Sequence, residues 1–297
     1  MPKSQQEGYD QIMETVLVGT GKKVVISDDR PTVIIGERIN PTGKKKLSAA
    51  LVAGDLSVVE KEALAQVEVG ADILDVNVGA AGVNEVDLLP RAVKLVMETV
   101  KVPICIDTAD TEAMAAALAV HKELSPEGKP LINSVNGEQE RLESVLPLVA
   151  EYDAAVIGLC MDDDGIPEEP EQRLAVAGKI VERAAKLGIP REDIVIDCLA
   201  LTMGADSQAG WKTLESMRLV KEKFGVNLTL GASNISFGLP EREIINGAFI
   251  AMAIKVGLNA PIVDAVKVRP YILAADLALG RDEYAMRYIK AFRQMKK

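Results

Sequence analysis

The chain has 297 residues, 48% of them hydrophobic and only 3% aromatic, so it can enclose a sizeable core built from Ala, Val, Ile, Leu and Met. Its 34 Lys and Arg stand against 44 Asp and Glu, a net charge of −10, which argues against a protein whose main task is to hold nucleic acid or an anionic membrane surface, since both need a basic face. The single histidine, His121, excludes any mechanism that needs two, and three cysteines without CxxC spacing point to neither a disulfide framework nor a zinc cluster.

The first thirty residues read as an extension: a short amphipathic helix over Tyr9–Val18, a Gly-Thr-Gly turn and the apolar run Lys23–Ile26. Their expected place is a cap over the N-terminal face of the main unit, residues 31–297. The polar N-terminus lacks the apolar centre of a signal peptide. No apolar stretch approaches the ~20 residues of a membrane span. The expectation is a soluble cytoplasmic protein.

From residue 33 onward, short apolar runs alternate with amphipathic segments. Val33–Glu37, Ile73–Val78, Pro103–Asp107, Leu131–Ser134, Ala155–Leu159, Ile194–Asp197, Leu228–Gly231 and Ala260–Asp264 are rich in Val, Ile and Leu without polar alternation, as strands buried on both faces are. Between them, apolar residues spaced at three and four predict helices over Val58–Val69, Leu88–Val100, Thr111–Val120, Arg141–Ala150, Glu171–Leu187, Trp211–Phe224 and Ile244–Val256. Ile272–Leu279 and a C-terminal helix follow. Asp110 and Thr111 are N-cap candidates, and Gly188 with Pro190 ends the long helix. Eight β–α units over about 250 residues make an α/β fold, the (β/α)8 TIM barrel. The doubly wound alternative needs a glycine-rich phosphate turn after its first strand, and GERINPTG is not one.

Reactive groups in such a barrel project from the C-terminal ends of its strands. Those ends carry Glu37, Asn40, Asp75, Asn77, Asp107, Asn133, Asn136, Asp197, Asn234 and Asp264, with Met161 before the acidic loop Asp162–Asp164. Carboxylates and carboxamides crown the mouth. No strand supplies an interior lysine for a Schiff base, and no histidine cluster suits zinc hydrolysis. Such a mouth fits a flat heterocycle with adjacent N–H donors and a carbonyl, such as a 2-amino-4-oxo-pyrimidine, because an ionised Asp accepts from both donors and an Asn both donates and accepts. Capping and inter-strand hydrogen bonds are an equally good account of any one of these residues.

The motifs GERIN (Gly36–Asn40), LDVNVG (Leu74–Gly79), CIDTAD (Cys105–Asp110), INSVNGE (Ile132–Glu138), DGIP (Asp164–Pro167), VIDCL (Val195–Leu199) and GASNISFGLPER (Gly231–Arg242) occur in order. Together they resemble the pterin-binding methyltransferases that move a methyl group between tetrahydrofolate and a corrinoid held by another protein. The resemblance implies that Asp107, Asn133 and Asp197 bind the pterin, that Asn234 approaches its N5 as the catalytic contact, and that Arg242 belongs to the same loop site. It leaves Glu37, Asp75, Asn136 and Met161 as possible mouth residues, with structural bracing an equal account. It implies tetrahydrofolate or 5-methyltetrahydrofolate as substrate, a cobalamin-carrying partner protein, no bound metal and a homodimer. Two alternatives stand beside it: a condensation like that of dihydropteroate synthase, whose second-strand motif Ser-Thr-Arg-Pro-Gly is replaced here by Val78–Gly82, and a non-catalytic pterin-binding barrel.

Other residues invite plainer readings. His121 is expected to be exposed at a helix end, and Trp211 to pack on the barrel exterior. The three cysteines are expected to be buried small hydrophobes. Lys44–Lys46 reads as a solvated charge run that could also meet a folate glutamate tail.

Overall fold

The computed structural model describes residues 12–295. An antiparallel hairpin comes first, β1 (Thr15–Val18) with β2 (Lys23–Ile26). Eight parallel strands follow: β3 (Ile35–Ile39), β4 (Ile73–Val76), β5 (Ile104–Asp107), β6 (Leu131–Asn136), β7 (Ala155–Leu159), β8 (Ile194–Asp197), β9 (Asn227–Gly231) and β10 (Leu258–Val263). They pair in chain order, and β10 returns to β3, so the sheet is a closed barrel. Closure rules out the doubly wound alternative.

Helices α1 (Lys45–Val52) and α2 (Ser57–Glu68) fill the first crossover. One helix fills each later one: α3 (Glu85–Thr99), α4 (Thr111–Leu124), α5 (Gln139–Glu151), α6 (Pro170–Lys186), α7 (Ala209–Phe224) and α8 (Arg242–Lys255). Helices α9 (Ala265–Ala278) and α10 (Met286–Met295) complete the chain. The helices turn apolar stripes to the barrel. In α3, Leu88, Leu89, Ala92, Val93, Val96 and Met97 are buried, as a 3.6-residue period demands. Asp110 caps α4 by accepting from the amides of Glu112 and Ala113. Gly188 follows α6 at φ +78°, a left-handed conformation that favours glycine. Gly36 serves another purpose: a Cβ there would lie 2.5 Å from Gln66 Oε1, which accepts from the Arg38 amide and ties α2 to β3.

The barrel interior is closed at its N-terminal end by the hairpin. Leu17, Val24 and Ile26 join Ile35, Ile73, Cys105, Leu131 and Val195 in one buried cluster. Backbone pairing of Val18 with Lys129, the Thr15 hydroxyl on Glu192 O, and Asn227 Nδ2 on Thr15 Oγ1 and Ile26 O fasten the hairpin to residues at or just before β6, β8 and β9.

Four details depart from the sequence reading. The helix expected over Tyr9–Val18 is absent where the structure is described: Thr15–Val18 is a strand, because Thr, Val, Leu, Val alternate between barrel and solvent sides; residues 9–11 lie outside the described residues. His121 is only 2% exposed, since it extends the buried α4 stripe of Ala113, Met114, Ala117 and Leu118; burial drives its pKa down to about 4. Trp211 is 58% exposed instead of packed. Helix α9 starts before Pro270 and not after it, because Asp264 caps its first turn by accepting from Val266 N. No helix among the described residues is long and apolar enough to cross a membrane.

Leu17 fills the floor at 0% exposure. Leu17→Ala is expected to lower unfolding free energy by about 2–5 kcal/mol. Val52→Ala, at an exposed helix position, is expected to stay within about 0.5 kcal/mol. Urea denaturation of both variants checks the contrast.

Candidate active site

Side chains on a strand alternate faces, so positions two apart share one. Ile35, Ile73, Cys105, Leu131, Ile157 and Val195 form the apolar layer inside the barrel. Two residues further along each strand stand Glu37, Asp75, Asp107, Asn133, Leu159 and Asp197. Strand pairing sets Asp107 beside Asn133 and Asp197 beside Leu159. The structure therefore gathers Glu37, Asp75, Asp107, Asn133 and Asp197 in a single inward layer at the C-terminal mouth.

Their hydrogen bonds link them. Asn133 Nδ2 donates to Asp75 Oδ1 at 3.3 Å, and Asn77 Nδ2 donates to Asp107 Oδ2 at 3.0 Å. Asp197 Oδ1 accepts from Leu199 N at 2.7 Å and Oδ2 from Gly231 N at 3.2 Å. The Ser233 hydroxyl donates to Glu37 Oε1 at 3.1 Å. Each carboxylate oxygen has lone pairs beyond those bonds, so the layer can still accept from a ligand.

Asn234 lies on a 3-10 turn, Ala232–Ser236, at the end of β9. It is exposed, with Nδ2 3.6 Å from where a Cβ on Gly231 would sit. Arg242 braces this turn: Nε donates to Ser236 Oγ and an Nη to Ser233 O at 2.7 Å, and its guanidinium stands 5.9 Å from the Phe237 ring centre. Asn136 points elsewhere: its Oδ1 accepts from Glu138 N and starts the turn into α5. Met161 is half-buried just beyond β7, and its carbonyl accepts from Gly137 N. Lys44 turns inward to the carbonyls of Glu37 and Arg38, while Lys45 and Lys46 stay exposed.

A cleft of about 370 Å³ beside this mouth is lined by Glu37, Arg38, Lys44, Ser233, Arg242 and Asp264, among others. A larger open groove of about 710 Å³ runs along the outer surfaces of α5, α6 and α7, where no strand end contributes a side chain. Among the described residues no group of three or more His, Cys, Asp and Glu is placed to hold a metal ion. Cys105 faces the barrel interior, whereas Cys160 and Cys198 meet on its outer side.

Residues 36–264 match the family described as pterin binding enzyme. The chain belongs to that family. It is 32% identical over 273 residues to a methylcorrinoid:tetrahydrofolate methyltransferase of Eubacterium limosum, covering 89% of this chain and 97% of the relative. It is 32% identical over 255 residues to a methionine synthase of Mycobacterium leprae, covering 81% of this chain but 21% of that longer protein. Among solved structures, Yersinia pestis dihydropteroate synthase aligns with TM-score 0.63 and 18% identity over 90% of this chain and 99% of its own. A Xanthomonas albilineans dihydropteroate synthase aligns with TM-score 0.63 and 21% identity over 90% and 98% of the two chains. Those two likenesses concern the fold.

In this pterin-binding barrel the mouth carboxyls lie in a desolvated layer. Burial, then the neighbouring Asp107 charge, pushes Asp75 well above the usual carboxylate range. Its carboxyl donates to Asp107, which burial also raises. The two carboxyls therefore titrate as a pair, each raised chiefly by burial. Burial raises Glu37 as well. Burial pushes Asp197 up to about 6, against the pull of the Leu199 and Gly231 amides and of Arg173.

Two groups in this layer were not assigned a role from sequence. Asn77 sits two residues beyond Asp75, so the period of two already aims it inward. Ser233 rests on the 3-10 geometry of its turn, which no local pattern announces.

Asp197 binds its proton more tightly folded than unfolded, so stability falls as pH rises from about 4 to about 6 and is level above. The full difference is on the order of 3 kcal/mol. Asp197→Asn removes this dependence. Urea denaturation at pH 4 and pH 7 is expected to show the wild type losing ground to the variant by that order; a constant gap contradicts the buried, ionisable placement of Asp197.

Proposed function

We propose that the chain is a methyltransferase moving a methyl group between N5 of tetrahydrofolate and the cobalt of a corrinoid carried by a separate protein. The observation that carries this reading is the inward layer of Asp107, Asn133 and Asp197 above a sealed apolar floor, with Asn234 exposed on the rim beside it. The end-to-end likeness to the Eubacterium limosum enzyme supports it.

In this reading the pterin lies flat in the mouth. Asp107 and Asp197, once ionised, accept from its amino and ring N–H groups. Asn133 pairs with its remaining polar edge. The amino–lactam edge suits carboxylates because charge-assisted acceptors are about twice as strong as neutral ones. The ring leaves N5 toward Asn234, whose carboxamide is free to approach from its short turn. Met161 lines the apolar side of the ring, and Glu37 and Asp75 hold the layer. Arg242 keeps the Asn234 turn in place.

Transfer is displacement at carbon. The nucleophilic cobalt(I) of the substrate corrinoid donates an electron pair to the methyl carbon, the carbon–N5 bond breaks, and its electrons stay on N5, which takes a proton from water. Asn234 hydrogen-bonds N5 and stabilises the charge that develops there. In reverse, the same contact orients the N5 lone pair toward the methyl group. Direction is set by the partner system and by concentrations.

The same reading puts the protein in the cytoplasm as a homodimer, with the 1–30 extension, as far as it is described from residue 12 onward, capping the barrel of 31–297.

Incubation with reduced cobalamin and 5-methyltetrahydrofolate, or with methylcobalamin and tetrahydrofolate, is expected to transfer methyl, read by the change in cobalamin absorbance. Asn234→Ala is expected to lower the rate about 10²–10³-fold at saturating folate with little change in folate affinity. A native rate in the variant contradicts the role of Asn234. No transfer by the wild type in either direction contradicts the function.

A further inference from the structure

Arg173 is the bulkiest side chain in the sealed interior, 1% exposed on the inward stripe of α6 with Val176, Ala177 and Ile180. Its partners are backbone carbonyls: Nε donates to Pro167 O at 2.9 Å, and Nη1 donates to Cys198 O and Leu199 O, each at 2.9 Å. Among the described residues it makes no ion pair within 4.0 Å. Burying a charge without a paired carboxylate costs several kcal/mol. A guanidinium kept there needs a reason beyond packing.

The carbonyls it holds point to one. Leu199 sits at φ +61°, a conformation uncommon for a side chain of its size. Its carbonyl accepts from both Arg173 and Thr213 Oγ1, and its amide donates to Asp197 Oδ1 at 2.7 Å. Arg173 thus grips from outside the barrel the same peptide segment that meets Asp197 from above. It joins that segment to Pro167 of the loop after β7, so two mouth loops share one clamp.

The charge acts on the same carboxylate. Asp197 meets the Leu199 amide from its own loop, the Gly231 amide from β9 and the Arg173 charge from α6. On the outer side Cys198 is held neutral, its thiol pushed well up by the hydrogen-bonded Cys160 and by burial. Glu169, just before α6, adds only a weak favourable charge for Arg173.

We propose that Arg173 is a positioning residue for Asp197: its guanidinium fixes the Cys198–Leu199 backbone that donates to the carboxylate, and its charge keeps that carboxylate ionised for the ligand. The proposal rests on Asp197 as an acceptor for the pterin edge, yet the arrangement it describes exists in the ligand-free chain. It is tested there first.

The full chain, labelled with ¹³C at aspartate carboxyls, gives the Asp197 titration by NMR, assigned by the resonance lost in Asp197→Asn. Arg173→Gln is expected to raise the Asp197 midpoint by about one pH unit, tenfold tighter proton binding. Arg173→Lys, which keeps the charge, is expected to raise it far less. In parallel, the affinity for 5-methyltetrahydrofolate in Arg173→Gln is expected to fall most near pH 6 and recover by pH 8. An unchanged Asp197 midpoint in Arg173→Gln overturns the proposal, as does a loss of affinity that is the same at both pH values. A shifted midpoint with no folate binding even by the wild type upholds Arg173 and refutes the functional reading instead. Should Arg173→Gln fail to fold, Arg173→Lys decides by hydrogen exchange: one donor in place of a fork predicts faster exchange at the Leu199 amide, and native protection overturns the clamp.

Discussion

Everything at the mouth depends on how a closed parallel barrel disposes of its inward side chains. Each strand sends alternate residues inside, where there is no water to receive them. One layer is apolar, from Ile35 round to Val195, and the hairpin residues Leu17, Val24 and Ile26 seal it from below. The next layer is Glu37, Asp75, Asp107, Asn133 and Asp197. Polar groups one step above a sealed floor must find partners in one another, in loop amides or in a ligand. Asp75 with Asp107, Asn133 with Asp75, and Asp197 with two amides show how far the chain goes by itself.

The acids are therefore ready to bind but costly to keep charged. Burial raises Asp75, Asp107, Asp197 and Glu37 alike. Sharing one proton between Asp75 and Asp107 lowers the charge of the layer. Loop amides and the buried Arg173 offset part of what desolvation does to Asp197. A desolvated layer of carboxyls is thus a stability liability at neutral pH, the usual tension at a functional site.

Most of this architecture is legible in the sequence because the strands carry uninterrupted apolar runs and the helices carry stripes. The closed barrel follows from eight such units, and the inward layer from counting by two along each strand. Asn77, already named at the end of its strand, is turned inward by the same count. Arg173 could have been found from the sequence too, for it occupies a core position of the α6 stripe, between Pro170 and Val176, where a charge is out of place. His121 obeys the same periodicity and was missed because its helix end suggested exposure. What stays hidden is non-local. Helix α1 is masked by the lysines at its start, Lys44–Lys46, although Leu47 and Leu51 one turn apart anchor it. The β1 strand depends on its hairpin partner and on the barrel edge, and Ser233 depends on a turn that only the packed loops define.

The measurement that bears most directly on the proposed pterin site at the mouth is calorimetric titration of the wild type and Asp197→Ala with 5-methyltetrahydrofolate at pH 7.5, with the folded state of the variant confirmed by thermal unfolding. The account predicts saturable binding of one folate per chain, lost in the folded variant. Equal binding by both chains, or none by either, contradicts it.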